Sequence, residues 1–304
     1  CQALHPSHAN VTLAVPKGRS DSVQVITRET GTPPRFEVRE YTRLAGIARP
    51  QKLGIYWGAR ATLAENGRYA FCYTRDPFLA RLAIRRGLKT ILELHWDRLH
   101  PFPILNGYYI RGLRRLAQSE GLVKIVVISE ALRTAVTQWG VPARKVVVLH
   151  DGVDPLGFAP VRSRAQARTR LELAVEGKVV AYVGSLYPDR RIDRILWLAA
   201  RFPEATFLVV GGPEPQRRMY QDQACGMGLE NIQFPGRVAH HQVRDYLAAA
   251  DVLLMLWSWQ VPTMRVCSPL KLFEGMAAER IIVAEAFPTM IRSAAMPSKS
   301  FRGE

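Results

Sequence analysis

The sequence has 304 residues, 48% of them hydrophobic and 22% charged, and a net charge of +16 from 42 Lys/Arg against 26 Asp/Glu. That balance excludes a disordered chain, and no apolar run approaches the ~18 residues that a membrane-spanning helix needs. The four cysteines, Cys1, Cys72, Cys225 and Cys267, lie far apart with no C-x-x-C pair, which speaks against a disulfide framework or thiolate metal site and fits a reducing cytoplasm.

In chain order, short apolar runs predict strands at 11–15, 36–38, 70–73, 90–94, 125–128 and 146–149, then at 179–183, 206–210, 232–234, 252–256 and 281–283. Runs of four to six Val/Ile/Leu-rich residues suit strands buried on both faces. Helical segments fall between them at 77–86, 130–139, 191–201, 215–227 and 242–249. Asp76 before Pro77 is a cap followed by a first-turn proline, and Ser129 caps the next helix, which Gly140 closes. Alternating strand and helix implies parallel sheets with right-handed crossovers. Strand signals vanish in the Pro- and Arg-rich stretch 155–170, which places a domain boundary near residue 160, between domains at 1–160 and 161–304.

The basic excess sits mainly in the first half, where residues 1–160 hold 23 Lys/Arg against 12 Asp/Glu, a charge of +11. A solvated Arg-rich surface explains it, and so does attraction to an anionic membrane face or acceptor. Segment 108–116 mixes tyrosines with arginines and fits either an ordinary helix or a peripheral membrane contact. Zinc-finger spacing and RNA-binding aromatics are absent, so nucleic acid is not an expected partner.

Segment 267–278 carries the most chemistry. Ser268 reads as a helix cap and Pro269 as the first turn, with Leu270, Phe273 and Ala277 on one face and Lys271 beside Glu274 on another. The free N–H groups of a helix start can hold a phosphate. Glu274 lies some 8–9 Å along the axis at ~1.5 Å per residue, about the reach from a diphosphate to the ribose hydroxyls of the same nucleotide. Upstream, the strand at 179–183 runs into Gly184 and Ser185, and Arg190 and Arg191 place cations at the carboxyl edge of that sheet. The segments 209–212, 234–238 and 246–252 matter through their order and spacing.

These segments resemble glycosyltransferase family 4, the retaining group of the GT-B fold. The matching residues run in family order, from 182–186 (YVGSL) through 209–212 (VVGG), 231–238 (NIQFPGRV) and 246–254 (YLAAADVLL) to 268–277 (SPLKLFEGMA). A looser likeness covers Tyr73–Pro77, Glu93–His95, 127–130 and 151–154. The resemblance implies two Rossmann-like α/β domains facing each other across a cleft, an acceptor-side first domain and a nucleotide-sugar-binding second one. The family's opening strand and closing strands and helices have no counterpart here, so both domains are expected to be incomplete. The donor is a nucleotide-diphosphate sugar, with no cofactor or metal required and the acceptor unknown. Glu274 would hold the ribose. Arg190, where the family carries Lys, and Lys271 would stabilise the diphosphate, with Ser268, Pro269 and Leu270 contributing the helix start. Gly184 and Ser185 would line the site, and Arg237 and Val238 would lie by the base. His95 would stand by the donor sugar and the attacking hydroxyl, although a single His at a strand end also fits a structural role. Ser185 occupies the place of a family Arg, with Arg191 as a substitute charge, and Val266 that of a family Glu. A hexosyltransferase of the cytoplasm, free or membrane-associated, is the expected enzyme, and a degenerate nucleotide-sugar-binding protein is the alternative. A nicotinamide dehydrogenase would need G-x-G-x-x-G after a strand, and neither Gly184 nor Gly211-Gly212 fits that spacing.

Overall fold

The computed structural model describes residues 10–17, 20–41, 60, 63, 69–99, 101–154 and 162–295. The chain divides into two compact units, Cys1–His150 and Asp151–Glu304, with the boundary ten residues ahead of the position expected from composition.

In the first unit, β1 (Thr12–Pro16) and β2 (Glu37–Tyr41) pair in parallel, joined through α1 (Ser22–Thr30). Asp21 caps α1 by accepting from the Val23 and Gln24 N–H groups, and Gly31 ends it in the left-handed conformation that favours glycine. A four-stranded parallel sheet follows in chain order: β3 (Phe71–Thr74), β4 (Lys89–Leu94), β5 (Leu122–Val127) and β6 (Val146–Val148). Its crossovers are α2 (Pro77–Arg85), α3 (Pro103–Ala117) and α4 (Glu130–Gln138). Asp76 and Ser129 cap α2 and α4 as expected.

The second unit opens with α5 (Arg164–Arg170). Next come β7 (Lys178–Val183), α6 (Ile192–Arg201), β8 (Ala205–Val210), α7 (Glu214–Gly226), β9 (Ile232–Gly236), α8 (Val243–Ala249) and β10 (Val252–Met255). The unit continues through α9 (Leu270–Ala277), β11 (Ile281–Ala284) and α10 (Pro288–Ala294). The strand order is β11-β10-β7-β8-β9, parallel throughout. Both faces of the sheet are covered. Leu208 and Val210 enter one core with Val179, Leu247 and Leu253, while Phe207 and Val209 enter the other with Ile192, Ile195 and Leu196. Side chains alternate along a strand, so burial on both sides demands the unbroken apolar run that the sequence shows at 206–210.

The described part of the basic stretch where strand signals vanish is helical. It forms α5, capped reciprocally by Ser163 and Gln166. Arg168, its side chain 4% exposed, reaches from α5 to Asp251 at 2.7 Å and to the Ala249 and Val175 carbonyls. Asp251 also accepts from the Val179 N–H at 2.8 Å and pairs with Arg164 at 2.7 Å. Burial alone would raise the Asp251 pKa, but the Val179 bond and the two arginines together hold it below its usual value. A carboxyl with a depressed folded pKa stabilises fully above its unfolded value and loses that contribution as pH falls through the folded one. Asp251→Asn is therefore expected to cost roughly 2 kcal/mol at pH 7, because Arg168 is left buried beside a neutral group, and the gap should close in acid, at a pH below the depressed folded value. Urea midpoints at both pH values test this, and equal midpoints at pH 7 would refute it.

Candidate functional site

Parallel pairing sends the loops after β7, β8, β9 and β10 out of one edge of the second unit's sheet. The chain moves from β7 outward to β8 and β9, then returns to place β10 on the other side of β7. Strand order therefore reverses between β7 and β10, and open α/β sheets bind ligands at such a switch point.

After β7, Tyr182 Oη donates to the Ser185 carbonyl at 2.6 Å and shapes the Gly184-Ser185 turn. Gly211, at φ 115°, passes so close that a Cβ there would lie 2.2 Å from the Gly184 oxygen. The turn leads to Arg190, whose Nε donates to Ser185 Oγ at 3.2 Å. Its guanidinium lies over the Trp257 ring at 4.6 Å, and its Nη1 is buried without a hydrogen-bond partner. Arg190 Nε also lies 3.5 Å from Asp189 Oδ1, and Arg191 is the more closely paired of the two. It adopts the left-handed conformation at φ 53°, and its guanidinium is tied to Asp193 at 2.8–3.3 Å. The expected substitute charge is thus committed to the first turn of α6.

Past β10, the expected cap is corrected. The helix α9 starts at Leu270 with Pro269 in the cap position and no side-chain cap bond. Ser268 Oγ instead accepts from the Asp151 N–H at 2.9 Å. Burial along α9 is set by its packing on the sheet. Leu270 is exposed, while Leu272, Glu274 and Gly275 turn inward. Gly275 explains the rotation, since a Cβ there would meet Ile282 and Leu253 at 2.8–2.9 Å, and its absence lets α9 sit directly on β10 and β11. Lys271 and Glu274 are side by side as expected, with Lys271 Nζ donating to Glu274 Oε2 at 2.7 Å. The Glu274 side chain is 1% exposed, and its Oε1 has no partner. A ligand reaches that carboxylate only when the side chains above it move aside. Arg237 is exposed beyond β9, whereas Val238 packs onto the core.

In the first unit, period-two alternation puts Glu93 and His95 on one face at the carboxyl end of β4, where His95 Nε2 and Glu93 Oε1 are hydrogen bonded. That bond, aided by Tyr73 and the charge of Arg75, holds the Glu93 carboxyl below its ordinary range against the opposing effect of burial. The pair lines a concavity of about 250 Å³ with Arg75, Asp76, Trp96 and Arg98. Sequence reasoning missed Trp257, because an aromatic after an apolar strand carries no signal of the cation it meets.

A family model described as Glycosyl transferases group 1 matches residues 177–295, and one described as Glycosyltransferase Family 4 matches 16–155. D-inositol 3-phosphate glycosyltransferases of Mycobacterium bovis and Mycobacterium tuberculosis are 37% identical over 167 residues, covering 53% of this chain. The match spans about a third of those relatives, 33% of their length. Among solved structures, HepE of Anabaena in complex with UDP and glucose superposes with a TM-score of 0.66 at 18% identity, over 94% of this chain and 83% of that one. WaaG, a glycosyltransferase involved in lipopolysaccharide biosynthesis, gives 0.60 at 15%, over 93% and 88%. At such identities the likeness speaks for the fold, two Rossmann-like α/β units of the GT-B class.

Proposed function

We propose that this chain, which belongs to glycosyltransferase family 4, transfers a hexose from a nucleotide-diphosphate sugar to an acceptor hydroxyl with retention of configuration. The observation that carries the proposal is the switch point between β7 and β10. There Arg190, Lys271 and the uncapped start of α9 supply positive charge at the edge where a diphosphate would lie. As the bond between the anomeric carbon and the phosphate oxygen breaks, negative charge grows on the leaving diphosphate. Fixed cations stabilise that growing charge more than the ground state, which is what accelerates transfer. The hydroxyl oxygen takes the anomeric carbon, and its proton leaves to solvent or to the departing phosphate. The His95–Glu93 pair belongs to the acceptor side, where Glu93 fixes the imidazole orientation.

UDP-, GDP- and ADP-sugars titrated calorimetrically, each followed by a turnover assay against sugar and polyol acceptors, test the proposal. One donor is expected to bind and be consumed. Binding without turnover against any acceptor would favour a degenerate binding protein, and no binding by any of the three would overturn the donor site.

The acceptor side also offers a contact with an anionic membrane. Ile104 (85% exposed) and Tyr108 (63%) face outward from α3 on the same stripe as Arg111 and Arg115, while Leu113 and Leu116 pack inward. Apolar side chains followed by arginines on one exposed stripe suit a helix lying at a lipid surface. Sedimentation with phosphatidylglycerol vesicles but not phosphatidylcholine vesicles is expected, and Arg111→Glu with Arg115→Glu should abolish it. Equal sedimentation with both lipids would refute the contact.

A further inference from the structure

The structure assigns to Trp257 the role of positioning residue for Arg190, a reading that rests on the donor site proposed above. Two links join the loop after β10 to the turn after β7, and both cross the switch point. The Ser258 N–H donates to the Asp189 carbonyl at 2.9 Å, and the Trp257 ring lies 4.6 Å beneath the Arg190 guanidinium. Ser185 Oγ accepts from Nε on the other side. The guanidinium is thus held at its Nε and across its plane, while Nη1 remains buried with no partner. A planar cation on a π face keeps its in-plane N–H groups free for an oxygen ligand, whereas an ammonium has no plane to stack. An Arg at this position therefore needs an aromatic platform, and Trp257 provides it. Trp257 also packs against the cluster of Met255, Met264 and Phe287, which holds the platform itself.

The two links predict coupling, not merely sensitivity. Trp257→Leu keeps the apolar packing and removes the π face. It is expected to weaken binding of whichever of UDP, GDP or ADP the wild-type chain prefers by about 10-fold, within the range of a desolvated cation–π contact. Trp257→Phe should restore most of that loss. The deciding measurement is a double-mutant cycle read by calorimetry. In the Arg190→Ala background, Trp257→Leu is expected to have no further effect on nucleoside-diphosphate affinity. A purely structural tryptophan would weaken binding equally in both backgrounds, and that additive result overturns the assignment. If Arg190→Ala itself leaves the affinity unchanged, the donor-site reading fails, and it fails in a way the additive result does not resemble. Thermal melts of every variant accompany the titrations. If Trp257→Leu melts below the assay temperature, Trp257→Phe takes its place in the same cycle: a partial loss of affinity that vanishes in the Arg190→Ala background supports the assignment, and an equal loss in both backgrounds overturns it.

Discussion

Replacing Arg190 and Lys271 together by Ala is expected to lower nucleoside-diphosphate affinity roughly a thousandfold. Each side chain would supply a charge-assisted hydrogen bond or ion contact to the diphosphate, and such contacts are worth about 1.5–3 kcal/mol apiece. The two residues approach from different elements, Arg190 from the turn after β7 and Lys271 from the first turn of α9, so their losses should nearly add. Lys271→Ala also removes the partner of a carboxylate that is 1% exposed, which threatens the fold as well as the ligand. Arg190→Ala with Lys271→Gln separates the two effects, because the amide can still donate to Glu274 but carries no charge. Calorimetry on the selected nucleoside diphosphate, beside a thermal melt, checks the expectation. Wild-type affinity in a folded double variant would remove the diphosphate from this edge of the sheet.

The legible parts of the molecule were those where local pattern and tertiary role coincide. Strands buried on both faces announce themselves as apolar runs, and each strand expected from the sequence appears within a few residues of its place. Caps were legible where the side chain bonds the first turn of its own helix, as with Asp76 and Ser129. Ser268 has the same chemistry and a different fate, since the backbone of Asp151, 117 residues away in sequence, claims its hydroxyl. The inward face of α9 has a related origin. Helical periodicity ranks Leu270 and Phe273 above a glycine, but Gly275 alone permits the close approach to Ile282 and Leu253 that sets the rotation. Arg191 reads as a ligand cation until its left-handed backbone and its tie to Asp193 are seen. The stretch at 164–170 gave no strand signal because it is a helix whose buried arginine serves the second unit's core.

Glu274→Gln is expected to weaken nucleoside-diphosphate binding by about 10–100-fold while leaving inorganic pyrophosphate binding unchanged. The reasoning starts from burial. A carboxylate with one oxygen bonded to Lys271 and the other unpartnered carries a desolvation cost of roughly 1–3 kcal/mol at the bare oxygen. That oxygen is an acceptor already stripped of water, and two adjacent ribose hydroxyls are donors of the geometry it lacks. The ligand must first displace the side chains that cover it, so part of the gain is spent on opening. An amide at the same position keeps the shape but offers only one acceptor, which removes at least one charged hydrogen bond to the ribose and none to the phosphates. Pyrophosphate has no ribose and should not register the change, whereas Arg190→Ala should weaken pyrophosphate and nucleoside diphosphate alike. Competition titrations with both ligands on both variants give four numbers. Equal loss of the two ligands in Glu274→Gln would mean that the carboxylate acts by holding Lys271 in place, and its assignment to the ribose would be abandoned. Glu274→Ala is the harsher variant, since it also opens a cavity under α9 and should lose about 2–4 kcal/mol of stability by urea titration.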